Sequence, residues 1–233
     1  MFNVHDLFTP LTLNEFIFSH LGQSPFASPS TATALQTLAF WDLFKTILES
    51  GHKDCWLVRQ GKLHDAHKEN GFLPDGLKSQ KEFSSGFTVL VRHSEMAQED
   101  LQKIAQAFLE IFPVPIDIQL FMTPAYHEGF DWHYDCEDVF IIQSSGEKEF
   151  TLRKNTDLVL SPKTSVPKDI TDFINRSVGP CIQCLLTPGD FLYIPRGYWH
   201  RARALKDSFH LSVGLNFLNK EKFQYEADAY NFS

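Results

Sequence analysis

Apolar residues in the first half of the chain fall at two different spacings, and from Ile116 onward at one. Phe40, Leu43, Phe44 and Ile47 recur at the three- and four-residue intervals of a helix face until Ser50-Gly51 stops the pattern. Leu101, Ile104, Phe108 and Phe112 repeat that spacing, with Ser94 as the expected cap and Pro113 and Pro115 as the end. A shorter helix, running to about His20, opens at Thr12-Leu13-Asn14-Glu15, a capping-box pattern in which each side chain can bond the other residue's amide. Residues 22–34, rich in Ser, Pro and Thr, predict a loop. Strands are expected over 55–59 and 87–91, flanking a polar segment, 60–86, whose Gly and Lys content predicts an exposed loop. His64 and His67 lie in that loop and are expected to be solvated, since a metal site needs further convergent ligands.

From Ile116 onward the alternation is that of strands, in which successive side chains point to opposite faces. After a turn at Ser144-Ser145-Gly146, parity puts Lys148, Phe150 and Leu152 on one face and Glu149, Thr151 and Arg153 on the other. Lys148 thus shares an apolar face, where an ammonium must be paired, neutral or reaching out to water. An anionic ligand would supply the pair. Near the C-terminus, His210, Ser212, Gly214 and Asn216 alternate with Leu211, Val213, Leu215 and Phe217. The polar set either lines a ligand cavity or forms the solvent side of a sheet, and the alternation fits both.

Two stretches of this strand region carry candidate metal chemistry. Phe130-Asp131-Trp132-His133-Tyr134-Asp135 offers an imidazole and a carboxylate two residues apart, which on a strand point the same way while Tyr134 points the other. His200 ends the stretch that starts at the Pro188-Gly189-Asp190 turn and runs through an aromatic, apolar segment, predicting a distant strand brought alongside. Two imidazoles and one carboxylate are the ligand set of a non-heme Fe(II) site with open positions for substrate and oxygen. A surface His-x-Asp with an unrelated core histidine is the plainer alternative, and the placement of both stretches at the rims of one barrel is what separates the two. No pair of histidines at helical spacing with an intervening Glu, the mark of a zinc protease, occurs. Trp132, Tyr134, Tyr193, Tyr198 and Trp199 are expected mainly in the core, with a substrate entrance as the alternative.

Composition narrows the setting. With 233 residues, 43 % hydrophobic and 14 % aromatic, the chain can bury the core of a single domain. A net charge of −8 argues against direct nucleic-acid binding, which draws on clustered Lys and Arg. No continuous apolar run reaches the ~18 residues of a membrane span, and the N-terminus does not read as a signal peptide. Cys55, Cys136, Cys181 and Cys184 are too few and too unevenly spaced for a secreted disulfide framework, so a cytoplasmic location is expected. Cys181 and Cys184 would face opposite sides of a strand and share neither a metal nor a disulfide.

Taken together, Thr123-Pro124-Ala125, Gly129-Phe130 leading to His133-Tyr134-Asp135, Asp138-Val139-Phe140-Ile141-Ile142-Gln143 with Gly146-Glu147-Lys148, and Pro188-Gly189-Asp190 through Pro195-Arg196-Gly197 to His200 resemble the JmjC-type cupins, and within them the ribosomal oxygenase subgroup. The likeness is strong over about 116–217. It implies a mainly β protein with N-terminal helices: a double-stranded β-helix (jelly-roll) catalytic core over 116–233, with helical and strand decoration over 1–115. It also implies Fe(II) held by His133, Asp135 and His200, 2-oxoglutarate as cosubstrate and molecular oxygen as oxidant. Lys148 would pair with the distal carboxylate of 2-oxoglutarate, and Gln119, Thr123 and Asn216 would line its site. Where the subgroup carries Asn and Tyr that contact the cosubstrate, this chain has Gln119 and Phe121, and Phe121 has no hydroxyl to donate. The implied reaction is decarboxylation of 2-oxoglutarate to succinate coupled to hydroxylation of a C–H bond. The expected substrate is a protein or peptide side chain, with a small molecule second and a non-catalytic metal-binding cupin as the alternative from another class. The stretch after Asn216 is too short for the helical dimerisation and winged-helix regions of the subgroup, so the likeness concerns the catalytic domain alone.

Overall fold

The computed structural model describes residues 2–36, 38–65, 83, 85–156 and 180–217. In chain order its helices and strands are α1 (Leu13–Ser19), β1 (Phe26–Ser28), α2 (Phe40–Glu49), β2 (Cys55–Arg59), β3 (Lys62–Asp65), β4 (Thr88–Val91), α3 (Glu99–Leu109), β5 (Ile116–Thr123), β6 (Asp138–Ser145), β7 (Lys148–Arg153), β8 (Ile182–Leu186), β9 (Phe191–Ile194), β10 (Trp199–Ala204) and β11 (Ser208–Leu215). Among the described residues these strands make one sheet in the order β1-β9-β6-β11-β5-β4-β2-β3 and a second in the order β10-β7-β8, antiparallel throughout.

Period-two alternation builds the layers. Phe140 and Ile142 of β6 point into a core shared with the helices, while Val139 and Ile141 point the other way, onto Phe150 and Leu152 of β7 and Leu186 of β8. The large sheet is therefore buried on both faces, and the two sheets stack as the jelly roll that the resemblance implies. Phe8, Phe16, Phe108, Phe112, Phe191 and Tyr193 surround Phe140 at centroid distances of 5.0 to 6.4 Å. Truncating a ring so enclosed costs about 3–5 kcal/mol.

The helices follow their sequence signals closely. Thr12 Oγ1 accepts from the Glu15 amide at 3.3 Å and Glu15 Oε2 accepts from the Thr12 amide at 2.7 Å, completing the capping box of α1. α2 buries Phe40, Leu43, Phe44 and Ile47, the face its spacing predicts. α3 is capped by Gln98, whose side chain accepts from the Leu101 amide, and not by Ser94. The Ser94 hydroxyl is instead buried and donates to the Ile118 carbonyl at 2.7 Å, tying a 3-10 turn to β5.

Two segments expected as loops contain strands. Phe26–Ser28 pairs with β9, and Lys62–Asp65 with β2. Both edge pairings are made to partners that composition does not reveal. His64 lies on β3, while His67 falls outside the described residues. Among the described residues no helix is long and apolar enough to cross a membrane.

The turn between β6 and β7 depends on Gly146. Its φ is 72°, and a Cβ there would lie 1.9 Å from the Asp207 carbonyl oxygen. Only glycine lets the turn lie against the β10–β11 connection, which fixes where Lys148 enters the next strand.

Candidate functional site

His133 and Asp135 do not sit on a regular strand. They lie on the extended connection before β6, where His133 forms an isolated bridge with His200 of β10. The His133 amide donates to the His200 carbonyl at 3.1 Å and the His200 amide to the His133 carbonyl at 2.8 Å. Alternation survives on this short segment. Tyr134 turns away into a buried pair with Trp199, ring centroids 5.0 Å apart, while His133 and Asp135 turn into a cavity. The Asp135 carbonyl accepts from the Gly197 amide at 2.8 Å, so the Pro195-Arg196-Gly197 turn before β10 grips the same connection. Buried Asp138, just beyond it, accepts from the Tyr193 hydroxyl and pairs with Arg196 at 3.5 Å.

One nitrogen, one nitrogen and one oxygen of His133, His200 and Asp135 all lie within 4.8 Å of one another, and His200 Nε2 is 3.4 Å from Asp135 Oδ2. Ligands held about 2.0–2.2 Å from one ion stand roughly 3 Å apart, so the group needs only small adjustments to share one. Carbonyls two residues back set both rings. His133 Nδ1 bonds the Asp131 carbonyl at 2.7 Å and His200 Nδ1 the Tyr198 carbonyl at 3.0 Å. A carbonyl only accepts, so Nδ1 carries a proton in each ring and Nε2 is the atom left to face an ion.

The charges of His133 and Asp135 suit the same use. Burial, and after it the His200 charge, hold His133 down at about 4, so its ring is neutral near pH 7. Burial raises Asp135, but the hydrogen bond and charge of His200 outweigh it and bring the carboxyl to about 2. His200 shows the converse: burial lowers it, and the Asp135 hydrogen bond and charge leave it above the usual imidazole value.

The cavity has a volume of about 580 Å³ and lies between the two sheets, within the range of roughly 300–1,000 Å³ common for small-ligand sites. His210, Ser212, Gly214 and Asn216 line it, so the polar face of β11 looks into a cavity and not into solvent. From β5 come Asp117, Gln119 and Phe121, which face Gly214, Ser212 and His210 across the ladder. Lys148 lies in the wall, 3 % exposed, and burial pushes its ammonium down to about 7. Its Nζ donates to Thr123 Oγ1 at 2.9 Å and stands 5.8 Å from the Phe121 ring and 6.0 Å from that of Phe150. Among the described residues no carboxylate pairs with it. Thr123 sits behind the ammonium, where it also accepts from the Thr88 hydroxyl at 3.2 Å. Gln119 lines the cavity but its amide is turned to Asp117, 2.7 Å away.

Sequence reasoning did not single out Arg92, Asp117 or Glu137 of the cavity wall. Parity could have found two of them, since Asp117 shares a face with Gln119, and Glu137 continues the spacing of His133 and Asp135. Burial, then the charges of Asp117 and Asp135, raise Glu137 to about 7. His93, Glu95 and Asp117 form a second cluster of possible ligands. Their bonds are already used within the protein: His93 Nδ1 meets Asp117 Oδ1 at 3.0 Å, and Glu95 accepts from the Ile118 amide at 2.9 Å. Of the five aromatic residues weighed for an entrance, Tyr134, Tyr193, Tyr198 and Trp199 are buried in the core, and Trp132 carries the Arg201 guanidinium 5.1 Å from its ring. All four cysteines are free thiols.

Comparison with known proteins agrees with this geometry. The chain is 23 % identical over 226 residues to a bifunctional lysine-specific demethylase and histidyl-hydroxylase NO66 from Drosophila persimilis, covering 93 % of this chain and 32 % of that protein. The NO66 of Dictyostelium discoideum is 33 % identical over 144 residues, 60 % of this chain and 27 % of that one. The fold matches that of the Escherichia coli ribosomal oxygenase YcfD, solved with cobalt and 2-oxoglutarate, at a TM-score of 0.64 and 20 % identity, over 94 % of this chain and 55 % of the other. The chain thus spans about a third or less of these curated relatives and about half of the solved one. The JmjC domain model matches residues 90–223, more than half of the chain, and takes in the His133, Asp135 and His200 cluster together with Lys148; this chain belongs to the JmjC domain family.

Proposed function

We infer that this chain is an Fe(II)- and 2-oxoglutarate-dependent oxygenase that hydroxylates a C–H bond, with a protein side chain as its substrate. The observation that carries the reading is the pairing, within one cavity, of a two-histidine, one-carboxylate cluster with a buried lysine that has no carboxylate partner among the described residues. The donor set fits a divalent iron that keeps positions open. The lysine fits the far end of a dicarboxylate. A buried ammonium without a counter-charge is costly, and a bound carboxylate would return it to its charged form.

When bound, iron and cosubstrate supply the oxidative chemistry, turning 2-oxoglutarate and oxygen into succinate, carbon dioxide and a hydroxylated product. The protein holds and orients. His133 and His200 would turn Nε2 to the ion in a direction fixed by the carbonyls of Asp131 and Tyr198, His200 giving up the proton it shares with Asp135. Asp135 stays ionised at any physiological pH, and its side chain keeps 41 % of its surface open. Lys148 sets the cosubstrate's direction through a desolvated charge pair, and Thr123 holds the ammonium in place. Gln119 and Asn216 line the same cavity as further contacts. The protein-substrate part of the reading is supported by the relatives named histidyl-hydroxylase and ribosomal oxygenase. Free thiols fit a reducing compartment such as the cytoplasm.

The test is anaerobic titration with Fe(II) and 2-oxoglutarate, followed through the metal-to-ligand charge-transfer band, and then succinate release in air. His133→Ala and Asp135→Ala should lose both signals. Unchanged succinate release by His133→Ala would refute the assignment.

A further inference from the structure

The Lys148 end of the cavity holds a second polar side chain with no role in binding the ion or in pairing with Lys148. His210 is 3 % exposed, lines the cavity, and its Nδ1 is buried without a hydrogen-bond partner. Its ring lies parallel to Phe121, centroids 4.8 Å apart and planes at 4°, and edge-on to Phe150 at 5.9 Å. Those are the two rings that flank the Lys148 ammonium. The ladder between β11 and β6 shifts register at Phe209/His210, an irregularity of the kind that re-aims a side chain beside a functional site.

We propose that His210 is the second protein contact to the cosubstrate's distal carboxylate, donating an imidazole N–H to the anion that Lys148 pairs with. The proposal rests on the oxygenase reading and adds a residue to it. Phe121 stacks on His210 and has no hydroxyl, so of these two stacked rings only the imidazole has a proton to give. A buried polar atom left without a partner is destabilising, and with the ring proton on Nδ1 a ligand oxygen removes that cost on binding. Burial and the neighbouring Lys148 charge keep the ring neutral, so it adds a hydrogen bond without a second positive charge next to the ammonium. A neutral donor and a cation on one carboxylate make a two-point grip that selects for a dicarboxylate of fixed length.

The test uses protein loaded with Mn(II) in the absence of oxygen and compares two ligands by calorimetry. 2-Oxoglutarate reaches the Lys148 end, whereas oxalate chelates the ion and stops short of it. His210→Phe keeps the stacked ring and should weaken 2-oxoglutarate about tenfold while leaving oxalate unchanged. His210→Asn, with an amide near the place of Nδ1, should recover most of that loss. If the phenylalanine variant does not fold, His210→Leu takes its place with the same expectation. Equal 2-oxoglutarate affinity in wild type and variant, or equal losses for both ligands, overturns the role of His210 and leaves the oxygenase reading standing. A wild-type protein that binds no 2-oxoglutarate removes both.

Discussion

Replacing Lys148 with methionine should move stability and ligand affinity in opposite directions. The side chain keeps its length and loses its charge. Burial takes the ammonium from 10.5 to about 7, and at about 1.4 kcal/mol per pKa unit the shift amounts to a desolvation cost to folding on the order of 5 kcal/mol. The folded pKa lies below the unfolded one, so the Lys148 contribution to stability is most favourable above pH 10.5 and is lost as the pH falls toward 7. Lys148→Met has no such term. Its gain over wild type should be about 2–5 kcal/mol at pH 7 and shrink toward nothing near pH 10.5. Binding should change the other way, with 2-oxoglutarate weakened about a hundredfold or more, the scale expected when one partner of a desolvated pair is removed. Urea denaturation between pH 6 and 10 reads the first effect, and calorimetry on Mn(II)-loaded protein the second. A stability gain as large at pH 10 as at pH 7 would show that charge burial is not its source. Undiminished 2-oxoglutarate binding would show that the ammonium is not the carboxylate's partner.

Glu95 obeys the opposite sign: burial raises it to about 7, so its stability contribution is intact below pH 4.5 and is lost as the pH rises through 7. Glu95→Gln should be about 1–3 kcal/mol more stable than wild type at pH 8 and no more stable at pH 4, read by denaturant titration. Gly146→Ala should destabilise by about 2–4 kcal/mol or prevent soluble expression, because the positive φ and the Asp207 carbonyl both oppose a Cβ. A melting temperature within two degrees or so of wild type would contradict the close approach described for that turn. Thr12→Ala should cost about 1 kcal/mol, and Thr12→Ser close to nothing, in chemical unfolding.

Signals that act over a few residues proved readable. The capping box of α1, the buried face of α2, and the shared face of Lys148, Phe150 and Leu152 each follow from neighbours in sequence, and each is found in the structure. So does the opposite pointing of Tyr134 from His133 and Asp135, although the strand expected to produce it is an extended connection with a single bridge. What escaped depends on distant partners. Ser94 has a good N-cap side chain, but the Ile118 carbonyl claims it. β1 exists because β9 offers an edge, and its Ser- and Pro-rich surroundings conceal that. Alternation on β11 left solvent and cavity equally open, and only the stacking of β10, β7 and β8 over the large sheet decides for the cavity.

The paired amide-to-carbonyl bonds between His133 and His200 make the gap between two of the three proposed donors a property of main chain and not of the ion. A cage prearranged in this way can exchange one divalent metal for another without refolding. Discrimination among iron, manganese, cobalt and zinc then falls to relative affinity and cellular supply, and the identity of the resident ion becomes a matter of where and when the chain is filled.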